Sequence, residues 1–226
     1  MKRFTTFLLM LILGLGYIPF AKSQTVPSLN NQYQQYLGTF RINPKSDGLK
    51  GTPFLFDTPP LGKIALDGGK DYSEIPFNIL LEKNEVYIQP GGEDSEPLLL
   101  RNWKWIEIPG EDVRNFRMEY LQGKPQVVEI LFEKEGEKYI ASHKKTLVRP
   151  SSQRDGYSGP QYDTFRHDIK YFILKGMQTT EIKTNSAGLK EWAGNRNDEL
   201  KEFMKEKKLN PDNPLDMKKM ITFLVK

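Results

Sequence analysis

The sequence has no cysteine at any of its 226 positions. Disulfide bonds, thiolate metal sites and a cysteine nucleophile are therefore excluded, and so is the lipidated cysteine of a bacterial lipoprotein. Histidine is scarce, with only His143 and His167. A chain without disulfides must be stabilised by its hydrophobic core, and a protein of about this length can bury roughly 70% of its unfolded surface.

Long hydrophobic runs are confined to the N-terminus, where residues 7–20 are mostly apolar. Two basic residues precede this run, and Ala21-Lys22-Ser23 places small residues before Gln24. This pattern predicts a signal peptide over residues 1–23 that is cleaved before Gln24, rather than a retained interfacial anchor. The expected location is the periplasm, the outer membrane surface or the exterior, with no transmembrane span in the mature chain.

An excess of positive charge is also lacking once the signal peptide is removed. The full chain has a formal net charge of +4, and cleavage removes three basic residues and no acidic one. The mature protein is then close to neutral, so its charge does not indicate a nucleic-acid partner.

Residues 51–150 alternate apolar and polar positions with the period of β-strands. The alternation is interrupted by predicted turns at Asp67-Gly68-Gly69, Lys83-Asn84 and Glu135-Gly136. Residues 24–50 form a polar lead-in, and residues 151–168 are rich in turn residues and predict a loop. Strands joined by short turns are typical of an antiparallel meander.

Residues 169–226 contain a predicted strand pair that reverses at Gly176, followed by apolar residues at helical spacing. Three helices are indicated. The first ends at Gly194, the second is capped by Asn195 or Asn197, and the third opens at Asn213-Pro214. The predicted fold class is α+β, an antiparallel β-meander sheet followed by three short C-terminal amphipathic helices, which argues against a βαβ nucleotide crevice.

Several stretches carry a resemblance to a known group. They are the segments GTPFL and LDGGKDYSEIPFN, the strand residues Lys170, Tyr171 and Phe172, and the lysine-rich helix with Glu202, Phe203, Lys205, Lys208 and Leu209. In these patterns the chain resembles uncharacterised exported proteins of the Bacteroidetes. The resemblance implies an envelope location and supplies no catalytic residues.

Residues that occur in catalytic and metal sites are present, but their patterns have simpler explanations. His143, Asp163 and His167 could contribute to a metal site, but no spacing such as HExxH supports it, and a solvated strand end explains His143. Ser158 lacks the spacing of a nucleophile elbow. We therefore predict no metal and no cofactor, and assign no catalytic residue.

Trp103 and Trp105 are the most distinctive pair for ligand binding. Residues two apart on a strand face the same side, so the two indoles are expected to form one aromatic row, with Lys104, Ile106 and Ile108 on the other face. An exposed row would stack on sugar rings or a peptide, whereas a buried row is core.

Three hypotheses of function remain. The first, which we favour, is a non-enzymatic envelope protein whose sheet is a binding or assembly scaffold. The second is a glycan or small-molecule binder that uses Trp103 and Trp105, and the third is a hydrolase or metalloenzyme with a dispersed site that includes His167 and Asp163. The partner would be an envelope protein or a glycan.

Overall fold

The computed structural model describes residue 46 and residues 48–91, 95–149 and 161–225, which belong to one compact unit. The strands are β1 (Leu49–Lys50), β2 (Leu61–Leu66), β3 (Asp71–Leu80), β4 (Glu85–Ile88), β5 (Leu98–Leu100), β6 (Trp103–Ile108), β7 (Arg114–Leu121), β8 (Lys124–Lys134), β9 (Glu137–Val148), β10 (Asp163–Lys175) and β11 (Gln178–Ile182). The helices are α1 (Ser186–Ala193), a 3-10 turn (Gly194–Arg196), α2 (Asn197–Lys207) and α3 (Pro214–Val225).

Some sequence-based predictions concern parts of the chain outside the described residues. The signal peptide over residues 1–23, most of the lead-in over 24–50 and Ser158 all lie there. Within the described residues, no helix is long and apolar enough to cross a membrane.

The α+β fold class is confirmed, but the sheet is mixed and is not a simple meander. Strands β6 to β10 follow one another as antiparallel neighbours, and β2 then lies between β6 and β3. β1 adds to β10 in parallel, pairing Leu49 with Asp163. The meander prediction fails at β2 because Ile64 on this strand lies opposite Ile106 of β6, and both side chains are buried in one apolar cluster.

Tight turns explain why β7, β8 and β9 are adjacent. Gln122 and Gly123 both have positive φ, at 52° and 79°, and so do Glu135 and Gly136, at 52° and 80°. Two successive residues with positive φ match the twist of the strands that a two-residue hairpin joins. The predicted turn at Glu135-Gly136 is thereby confirmed.

The predicted loop over residues 151–168 is wrong from Asp163 onward. β10 begins at Asp163 and pairs with β9 along almost its full length, from Thr164 opposite Val148 to Lys175 opposite Glu137. The composition of this segment is polar because much of it is exposed, and an exposed strand does not need an apolar alternation.

The helices cover one face of the sheet around β8 to β10. Apolar residues of α1, α2 and α3 join a buried cluster with Leu131, Tyr139, Ala141 and Tyr171. The end of α1 at Gly194 is confirmed, and Asn213 caps α3 by accepting from the backbone of Leu215 at 2.9 Å. The helical region also contains a 3-10 turn that was not predicted, and the residue before α2 is Arg196, which makes no side-chain cap bond.

Candidate functional site

The two histidines lie side by side on the helix-covered face of the sheet. β9 and β10 pair so that Lys145 is opposite His167 and His143 is opposite Ile169. Because paired residues share a face, both imidazoles point to the same side, and His143 Nδ1 lies 3.1 Å from His167 Nε2. The prediction that His143 occupies a solvated strand end is wrong, since only 2% of its side chain is exposed.

Two charged residues from β7 and β8 continue the contact inward. His143 Nε2 is 3.0 Å from Glu129 Oε2, and the Glu129 side chain is also only 2% exposed. Arg114 donates from Nε and from Nη2 to the two carboxylate oxygens, at 2.7 Å each. The guanidinium also lies over the rings of Phe56 and Phe116, at 5.2 and 5.3 Å. We term Arg114, Glu129, His143 and His167 the buried polar chain.

The ionisation of Glu129 fixes the direction of the hydrogen bonds that its carboxylate receives. Burial raises the pKa of this carboxyl, but hydrogen bonds from Arg114 and His143 and their positive charges outweigh burial and lower the pKa to about 2. An ionised carboxylate only accepts, so His143 donates to it from Nε2. Which of His143 Nδ1 and His167 Nε2 donates to the other depends on the tautomer, and Nδ1 of His167 is the ring nitrogen that lies outside this contact.

His167 is held in its neutral form at pH 7. Partial burial and the positive charges of His143, Lys145 and Arg114 lower the pKa of His167 to about 4. The negative charge of Asp168 acts in the opposite direction but is outweighed. In the part of the chain that the structure describes, no hydrogen-bond partner is found for Nδ1. The buried polar chain therefore ends at the protein surface in a neutral imidazole.

His167 lies at a cleft of about 620 Å³, which we term the edge cleft. It is lined by Ser142, Lys144, His167, Asp168, Ile169, Lys170 and Asp212. Four of these residues are consecutive on β10, and consecutive strand residues point to opposite faces. A cleft that reaches all four therefore wraps around the edge of β10 from one face of the sheet to the other.

The histidine pair does not form the imagined metal site with Asp163. Asp163 lies four residues before His167 on β10, and Phe165 lies between these two residues on the same face of the strand. The backbone N–H of Asp163 donates to the carbonyl of Gly48 at 2.9 Å. Among the described residues, no three His, Cys, Asp or Glu side chains are grouped so that they could hold a metal ion.

Trp103 and Trp105 do not form the predicted single row. The register between β2 and β6 shifts, so that Ala65 is opposite Trp105 and Leu66 is opposite Trp103. Ala65 and Leu66 point to opposite faces, and the two indoles consequently do so as well. Trp103 packs on the apolar cluster that contains Ile106, whereas Lys63 Nζ lies 5.4 Å from the ring of Trp105. Whether either indole binds a ligand stays a prediction.

Sequence reasoning missed Arg114 and Glu129, although the sequence holds a signal for the second. Glu129 stands within the run Val127-Val128-Glu129-Ile130-Leu131, and a single charge inside an apolar strand has to be paired. The partner could not be identified, because Arg114 lies on another strand. Comparison of the chain with protein-family models, with curated proteins and with solved structures gives no match.

Proposed function

We propose that this protein is an exported protein of the cell envelope that acts by binding, with the edge cleft as its ligand site. The observation that carries the proposal is the buried polar chain, which ends at the edge cleft in the neutral imidazole of His167. A neutral imidazole with one ring nitrogen outside the histidine contact suits the recognition of a hydroxyl or amide group, which can both donate and accept.

Two features favour binding over catalysis. A general base works best when its pKa lies near the working pH, and the pKa of His167 is lowered to about 4. The one hydroxyl among the residues that line the edge cleft, Ser142 Oγ, makes its hydrogen bond to Gln126 Oε1 at 3.5 Å and not to a histidine. A nucleophile paired with a base is therefore not formed by these cleft residues.

The proposal is tested with wild-type protein and the His167→Leu variant. Both are exposed to an array of immobilised bacterial glycans and to a displayed library of random heptapeptides, and both are assayed with chromogenic ester, glycoside and peptide substrates. We expect binding that is lost in His167→Leu, with no turnover. Turnover by the wild type that disappears in the variant would overturn the non-enzymatic function.

Export is tested separately in the native cell. The mature protein is expected in the envelope fraction with Gln24 as its first residue, which N-terminal mass spectrometry can identify. Recovery from the cytoplasm with Met1 retained would contradict export.

A further inference from the structure

The outer edge of β10 is paired at both ends but not in its middle. β1 pairs with Asp163 and Thr164, and β11 pairs with β10 from Tyr171 to Lys175. No described strand lies opposite residues 166–170 on this side. The edge is therefore recessed between β1 and β11 over a length of roughly 17 Å, at about 3.4 Å per residue.

Backbone groups of two residues point into this recess. The N–H of Asp163 donates outward, to Gly48 beside β1, and strand residues two apart direct their N–H and C=O groups to the same side. His167 and Ile169 consequently face the recess, while the even-numbered residues bond toward β9. In the described ranges, no group bonds the outward backbone of His167 or Ile169.

We propose that the recess accepts an extended segment of another polypeptide, which pairs with β10 as a strand between β1 and β11. The inference rests on the proposed function in that the edge cleft is the ligand site. The N–H and C=O groups of His167 and Ile169 offer up to four main-chain hydrogen bonds. Strand addition to an exposed edge obtains its affinity from such bonds, and its specificity from the side chains that alternate between the faces.

The shape of the recess excludes a second copy of the same edge as the occupant. β1 and β11 both extend beyond β10 by one strand spacing, which is roughly 4.8 Å. Two recessed edges of this kind cannot approach each other, because the flanking strands of the two copies would collide first. The occupant is therefore a single strand, such as an exposed tail or loop of a partner protein.

The side chains beside the recess define what the occupant carries. The residue that pairs with His167 lies on the same face as the imidazole, whose Nδ1 lies outside the contact with His143, so serine, threonine or asparagine, each of which both donates and accepts, fits there. The residue that pairs with Ile169 meets an apolar side chain that is partly buried against the helix-covered cluster. The segment thus has a hydrogen-bonding polar side chain and an apolar side chain two positions apart.

The test selects peptides from a displayed heptapeptide library on the wild-type protein and compares their binding to two variants. Ile169→Pro removes one outward N–H, which an edge position tolerates because that N–H bonds no neighbouring strand. Ile169→Val is the matched control, since it keeps the N–H and an apolar side chain. We expect affinity to fall at least ~10-fold with Ile169→Pro or with peptides N-methylated at alternate amides, and by no more than ~2-fold with Ile169→Val.

Amide hydrogen exchange gives a second readout that does not depend on a variant. The selected peptide should slow exchange at His167 and Ile169, and leave the already bonded amide of Asp168 unchanged. Failure to select any peptide, or binding that leaves both amides in fast exchange, would refute strand addition. If no peptide is selected but a glycan binds in a His167-dependent manner, strand addition is refuted and the proposed binding function stands. A peptide that pairs with β10 and is then cleaved would refute only the non-enzymatic function.

Discussion

Glu129→Gln is the substitution that most directly tests the buried polar chain. The change keeps the size of the side chain and removes the charge that Arg114 and His143 share. Lowering the pKa from 4.5 to about 2 corresponds to about 3 kcal/mol of stabilisation, at about 1.4 kcal/mol per pKa unit. Removing one partner of a buried ion pair costs a similar amount, roughly 3–5 kcal/mol. We therefore expect the free energy of unfolding at pH 7 to fall by about 3 kcal/mol.

The pH dependence of this loss has a definite sign. The pKa of Glu129 is lower in the folded than in the unfolded state, so its contribution is complete above about pH 4.5 and is lost as the pH falls toward 2. The difference between wild type and Glu129→Gln should accordingly shrink in acid. Urea unfolding at a series of pH values, with m-values compared, measures both quantities.

Glu133→Gln is the matched control, because it disrupts a second Arg–Glu pair between the same two strands. Arg117 contacts both carboxylate oxygens of Glu133, at 2.9 and 3.0 Å, but the two side chains are 35% and 37% exposed. An exposed pair contributes about 0–1 kcal/mol. Two outcomes would refute the reasoning that burial strengthens the pair of Arg114 and Glu129. They are an equal loss of unfolding free energy in both variants, or a loss in Glu129→Gln that is unchanged at pH 2.

Three further predictions concern single positions. The ring of His167 should titrate near pH 4 by NMR, because partial burial and neighbouring positive charges lower its pKa. Because the pKa is higher in the unfolded state, His167 should also lower the free energy of unfolding as the pH falls below about 6.5. A titration midpoint at pH 6.5 would contradict both statements. Gly62→Ala would place a Cβ 2.7 Å from the ring of Phe77 and should cost about 1–3 kcal/mol in urea unfolding. Gly68→Ala, whose Cβ would meet nothing within 4 Å, should change stability by less than about 0.5 kcal/mol, and similar losses at both glycines would argue against the contact. Tyr171→Phe should leave thermal stability unchanged or raise it, because the buried hydroxyl finds no partner among the described residues, whereas a clear loss would reveal a bond to that hydroxyl.

Local patterns in the sequence were enough for many of the elements. Alternation predicted strands between residues 51 and 150, and Glu135-Gly136, Gly194 and Asn213 marked ends that the structure confirms. The order of strands was less accessible, because Ile64 pairs with Ile106 across some forty residues and no local signal encodes that choice.

The candidate site could not be predicted for the same reason, because it depends on which strands pair and in which register. His143 and His167 were grouped with Asp163 in a possible metal site, but their actual contact follows from the register of β9 and β10, and the start of β10 was assigned to a loop. The faces of Trp103 and Trp105 were mistaken for a related reason. One extra residue in β6 reverses the alternation, and a β-bulge of this kind leaves no clear trace in composition.

The parallel contact between β1 and β10 has a consequence for the order of folding. Ser46 Oγ accepts from the N–H of Asp163 at 2.8 Å, across 117 residues of chain. Closing a loop of this length costs about 4 kcal/mol of chain entropy, which the two residues of β1 cannot offset alone. We expect β1 to dock only after the hairpins of β7 to β10 have formed, so that the first described strand in the chain is among the last to join the sheet.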